Sequence, residues 1–126
     1  MRVMKRNNQA RIILSEITGN ADAQLRFFAL LNLGVAQSLA SGIISAAEAI
    51  RFFYNTENCL YVRERFRNKH ANAIMSRGVQ LPDLFEALPA EEASREFLRE
   101  LEHIRALCSH LLIAKPSAKV AKRLIA

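Results

Sequence analysis

Tryptophan is absent from this chain, and glycine, proline and cysteine are scarce, at four, three and two residues in 126. Leucine, alanine, arginine and glutamate dominate instead, and all four favour helices. No uninterrupted apolar run reaches the about 18 residues that mark a membrane-spanning helix. The longest apolar stretch, Phe27 to Ala36, is broken by Asn32. The basic start is not followed by the apolar segment and small-residue cleavage site of a secretory signal, so a cytoplasmic protein without a membrane role is expected. Cys59 and Cys108 lack CxxC spacing and read as reduced thiols packed as small hydrophobes. The glycine patterns of phosphate loops and dinucleotide-binding folds are missing, and so is strand-like alternation of any length.

What the chain does contain is a succession of helix signals within one domain, residues 1–126. The corner Leu39–Ala49 is the most explicit. Gly42 can close a helix in the left-handed conformation, and Ser45 with Glu48 has the spacing of a reciprocal capping box. Before it, Ala10 to Ile17 reads as a short amphipathic helix stopped by Gly19, and Asn20 or Asp22 can cap the next, which runs to about Ser41. That helix carries apolar residues nearly all round, from Leu25 to Leu39, and is expected to be the buried centre of the fold. Gly34 in its interior costs about 1 kcal/mol against alanine, which a closely packed neighbouring helix would explain.

After the corner, Ala46 to Tyr54 reads as a short helix, and Asn55 or Thr56 can cap the next one. Residues 59–77 form one bent helix or two shorter ones, with Gly78 a plausible stop. Leu81-Pro82-Asp83 starts a further turn, with Leu84, Phe85 and Leu88 directed inward, and Pro89 ends it. The last helix, about Ala90 to Ala114, is the clearest: Phe97, Leu101, Ile104, Cys108 and Leu111 recur at spacings of four, three, four and three. Glu96 with Arg99, and Glu102 with Arg105, are i,i+3 pairs on its outer face. The expected fold is all-α, a compact bundle of five or six helices around the buried central one. A basic arm (about 1–9) and a basic tail (about 115–126) flank it.

The net charge of +6 is unevenly spread. Arg63, Arg65, Arg67, Lys69 and Arg77 face only Glu64 in their segment, whereas residues 83–102 hold seven acids against Arg95 and Arg99. Such segregation either steers an anionic partner or pairs one helix face with another inside the fold. The basic segment is the candidate anion or nucleic-acid patch; at helical spacing Arg63, Arg67 and His70 share one face, and Arg65 and Lys69 another. Base reading would need a recognisable helix-turn-helix frame, which the long helix before Gly42 does not provide.

Catalytic and metal readings find little footing. His103 and His110 lie seven residues apart near Glu96, Glu100 and Glu102, but Glu100-x-x-His103 is a single copy of a motif that binds metal in pairs. No nucleophile has a strand-to-helix elbow or an orienting third group. No catalytic residue, metal or cofactor is therefore assigned. The exposed apolar remainder, Tyr54, Tyr61, Val120, Leu124 and Ile125, is the candidate interface with another protein or a second copy of the chain. The expected function is a non-catalytic helical protein–protein interaction module that can self-associate, with nucleic-acid association through the basic segment and termini as the alternative.

From Leu31 to about Leu112 the order of signals resembles a small uncharacterised bacterial all-helical family. The shared features are Leu31-x-Leu33-Gly34, Ser38-Leu39, Gly42-x-Ile44-Ser45, Glu48-Ala49 and Phe52-Phe53, then a Gly78 loop and a long terminal helix. The likeness is strongest over residues 31–54. The family's later loop is richer in acid than Val79–Asp83, which keeps one. The resemblance implies a helical fold and carries no activity with it.

Overall fold

Four capping side chains decide where the helices of this chain begin. In the computed structural model, which describes residues 10–113, Asn20 accepts from the Ala23 N–H at 2.8 Å and opens α1, Ala21–Ala40. Gly42, at φ 75°, turns the chain after it. Ser45 Oγ accepts from the Glu48 N–H at 3.1 Å while Glu48 Oε1 accepts from the Ser45 N–H at 2.8 Å, and this reciprocal box opens α2, Ala46–Phe52. Asn55 accepts from Asn58 N–H at the head of α3, Thr56–Phe66. Asn68 accepts from the His70 and Ala71 N–H groups at the head of α4, Lys69–Ala87. Each such cap is worth about 1 kcal/mol. Pro89 precedes α5, Ala90–Ile113. No strand occurs among the described residues.

Paired contacts set the helix directions. Arg77 meets Glu100 at 2.7 Å, the Phe85 and Phe97 rings lie 5.2 Å apart, and His70 and His110 lie 4.2 Å apart, so α4 and α5 run antiparallel. Arg26 donates to the Leu112 carbonyl at 3.1 Å and Arg105 donates to Gln37 Oε1 at 3.1 Å, so α1 is antiparallel to α5 as well. Helix α5 thus bridges α1 and α4 with its Leu101, Ile104, Cys108 and Leu111 seam, all buried. On the other side the α2–α3 corner fills the space between α1 and α4. Phe53 and Tyr54 drive into it, stacked edge-on at 4.9 Å, with Phe28 of α1 6.3 Å from the Phe53 ring.

Two buried amides organise this wedge. Asn32 donates to the Phe28 carbonyl at 2.9 Å and accepts from the Tyr54 hydroxyl at 2.9 Å, so neither polar side chain is left unpaired in the core. Asn58 accepts from Leu14 N–H at 3.1 Å and donates to the carbonyls of Ile12 and Phe53, each at 2.8 Å. Ile12 in turn donates to the Phe52 carbonyl. These contacts draw the backbone of residues 12–14 away from helical pairing. The amphipathic helix expected over Ala10–Ile17 is replaced by a single 3₁₀ turn, Leu14–Glu16, with Leu14 buried.

Three further expectations are corrected. Helix α1 is not buried all round: its core face carries Phe28, Asn32, Val35 and Leu39, while Phe27 and Leu30 are 45% and 56% exposed. Gly78 does not stop a helix. Helix α4 runs through it to Ala87, with Pro82 inside, because Ala71, Ile74, Met75, Gly78 and Leu81 make one continuous buried stripe. A Cβ on Gly78 would lie 2.5 Å from two Tyr54 ring carbons, so glycine here is the notch that admits the tyrosine. Gly34, by contrast, has no such neighbour among the described residues: a Cβ there meets none of them within 4 Å.

Candidate interaction surface

The residues singled out from the sequence scatter. Tyr54 is 1% exposed and cannot belong to an interface; its hydroxyl is committed to Asn32, and burial raises its proton affinity, with the nearby Cys108 adding to the effect. Tyr61 is half-buried, donates to Gln24 Oε1 at 3.0 Å and packs edge-on against Phe66. Val120, Leu124 and Ile125 lie outside the described residues.

The basic segment does not form the continuous helical faces expected of it. Arg67 takes a left-handed conformation at φ 48° and Asn68 caps α4, so the chain breaks between Arg63 and His70. Arg65 donates to Gln24 Oε1 at 2.8 Å and Arg77 is paired with Glu100. Arg63, Arg67 and Lys69 have no carboxylate partner among the described residues. Part of the charge segregation is therefore internal, since the acidic α5 face holds Arg77 and, through Glu96 and Glu102, its own Arg99 and Arg105.

Titratable side chains meet in small groups. Arg77 and Glu100 both lie against the exposed His103, whose Nδ1 is 3.1 Å from Arg77 Nη1 and 3.5 Å from Glu100 Oε2. His70 stands against His110, and desolvation, then the charges of His110 and Lys69, push its pKa down. Burial holds the Cys108 thiol up at about 12. The Cys59 thiol is raised too, with Arg63 working against the rise. No three His, Cys, Asp or Glu side chains converge as ligands among the described residues, and none of the described helices is long and apolar enough to cross a membrane.

Exposed apolar surface is the more distinctive feature, and it was largely missed in the sequence. Phe85, expected inward, is 48% exposed beside Phe97. The two rings form one wall of an open groove of about 610 Å³ whose other wall is the α1–α2 corner, with Leu39, Ile44 and Ala46. Pro82 lies in the lining, and Glu48 and Glu86 add negative charge to it. Glu48 already gives one oxygen to the capping box. A second, smaller groove of about 450 Å³ runs beside Cys59, Leu60, Arg63 and Val79. The outer face of α1 is a third apolar surface, a line of Ala23, Phe27, Leu30 and Gly34. Comparison of the chain with protein-family models, with curated proteins and with solved structures gives no match.

Proposed function

We propose that this chain is a non-catalytic helical protein–protein interaction module whose groove between the α1–α2 corner and the Phe85–Phe97 pair receives an apolar side chain of a partner protein. The observation that carries the reading is Phe85: a large aromatic ring left half in water at the edge of a concave, apolar, acid-rimmed surface. Partly exposed aromatics in a concave setting are the usual anchors of protein interfaces. Glu48 and Glu86 favour a partner segment that carries basic residues around its apolar anchor. The resemblance to an uncharacterised helical family adds no activity to this reading. The nucleic-acid alternative keeps Arg63, Arg67 and Lys69 as unpaired cations, but Arg65 and Arg77 are engaged within the fold.

A photo-crosslinking side chain placed at Phe85 tests the proposal in cells. A discrete adduct from position 85, absent from a control at exposed Ser15 and lost when Ile44→Asp is added, is expected. Equal adduct patterns from both positions, or none from position 85, would overturn it.

A further inference from the structure

The groove between Ile44 and the Phe85–Phe97 pair lies at the acidic end of the bundle. Glu48 stands in the first turn of α2, Asp83 and Glu86 in the last two turns of α4, and Glu91 and Glu92 in the first turn of α5. All five are exposed, and none forms an ion pair among the described residues. Arg51 and Arg95, a turn further along α2 and α5, leave the balance negative. An apolar groove in such a field favours an apolar segment flanked by cations.

The chain carries such a segment in its own basic arm. Arg2-Val3-Met4-Lys5-Arg6 sets two apolar side chains between three cations, and residues 1–9 contain no acid. Methionine, unbranched and polarisable, fills irregular apolar surfaces well. The arm also joins the fold close to the groove. Ile12 donates to the Phe52 carbonyl at the end of α2, and Ala46 at the start of that helix lines the groove, about 9 Å away along the helix axis. Met4 precedes Ile12 by eight residues, enough to span about 26 Å when extended. The basic tail starts farther off. Ile113 and Phe97 are 16 residues apart on α5, about 24 Å along its axis.

We infer, on the reading of the groove as an interaction site, that the chain's own arm occupies it, with Val3 and Met4 against Phe85 and Ile44 and the flanking cations facing the acids of the rim. A partner protein then has to displace the arm, which makes the arm a built-in competitor. A tether this short presents the arm to its own groove at an effective concentration on the order of millimolar, so at micromolar protein the arm of the same chain outcompetes that of a second copy. A groove filled about nine-tenths of the time by the arm binds a partner about tenfold more weakly.

Irradiation of the purified full chain, with a photo-crosslinking side chain at position 85 and the adducts mapped by mass spectrometry, tests it. At about 5 µM, far below the effective concentration of a tethered segment, the expected product is a monomer joined to residues 1–6. Val3→Asp/Met4→Asp should cut its yield at least about tenfold, because two charges would have to enter an apolar groove. Both positions lie outside residues 10–113, so the substitutions touch none of the contacts of the described fold. Leu124→Asp/Ile125→Asp, in the tail, should leave the yield unchanged. In cells, Val3→Asp/Met4→Asp should strengthen the partner adduct from position 85. Absence of an intramolecular adduct, an adduct to residues 114–126, a crosslinked dimer as the chief product, or a yield indifferent to Val3→Asp/Met4→Asp would each overturn the inference. The purified chain thus reports on the arm alone, whereas the partner reading stands or falls on the adducts formed in cells.

Discussion

Gly78 and Gly34 both sit in the middle of a long helix, and their surroundings are opposite. At Gly78 the Tyr54 ring occupies the volume where a side chain would begin, 2.5 Å from the nearest ring carbons. At Gly34 none of the described residues enters that volume. The same residue type therefore answers two different needs: on α4 it lets a buried tyrosine close the wedge between helices, while on α1 it leaves an outer surface flat. The close neighbour that the sequence suggested for Gly34 is present, but at the other glycine. A glycine inside a helix weakens it, and whether a neighbour fills the space beside the glycine decides what its replacement does.

The largest effect is expected from Gly78→Ala. The new methyl has to displace a ring that is itself packed on all sides, and overpacking of that severity costs about 3 kcal/mol, well beyond the gain of about 1 kcal/mol in helix propensity. Urea unfolding should show the midpoint falling, and a second change, Tyr54→Ala, should make Gly78→Ala neutral or favourable in that background. If Gly78→Ala is tolerated in the native background, the notch reading is wrong. A smaller loss, about 2 kcal/mol, is expected from Asn32→Ala, which leaves the Tyr54 hydroxyl buried without an acceptor. Adding Tyr54→Phe removes the stranded hydroxyl, so the pair should cost less than the sum of the two single changes.

The residues that made the helices legible were those whose partners lie three or four positions away. Ser45 with Glu48, Gly42, Asn20, Asn55 and the α5 seam were all readable in the sequence, because capping and helix periodicity are local. The pairs Glu96–Arg99 and Glu102–Arg105 were readable for the same reason. Arg77 with Glu100, and Asn58 with Ile12 and Leu14, join residues far apart in the chain, and no spacing rule anticipates them. Asn32 did leave a sign: an amide interrupting the longest apolar run needs a buried partner, and Tyr54 supplies it. The surface was harder to read. The apolar count of α1 concealed Phe27 and Leu30, although Asp22, Arg26, Gln37 and Ser41 mark the exposed arc on which they lie.

Alkaline pH separates the two regions in another way. Burial raises the Cys108 thiol from its ordinary value near 9 to about 12. Well below pH 9 the thiol is protonated in the folded and unfolded chains alike. Between about 9 and about 12 the unfolded chain gives up a proton that the fold retains, so stability falls by up to about 1.4 kcal/mol per pH unit. Tyr54, raised in the same sense, adds to the fall above its ordinary range near 10. Urea midpoints measured from pH 8 to 10.5 should decline, and Cys108→Ala should flatten the first part of that decline. Substitutions on the outer face of α1, which holds neither group, should lower or raise the curve without changing its slope.

The smallest effect is also the one that most sharpens the contrast between the glycines. Gly34→Ala adds a methyl to an exposed helix position with open space around it, so the folded monomer should gain about 1 kcal/mol from helix propensity. Urea unfolding should therefore report a higher midpoint than that of the unsubstituted chain. If Gly34→Ala lowers stability instead, the space around Gly34 is not free, and the distinction between the two glycines falls with it.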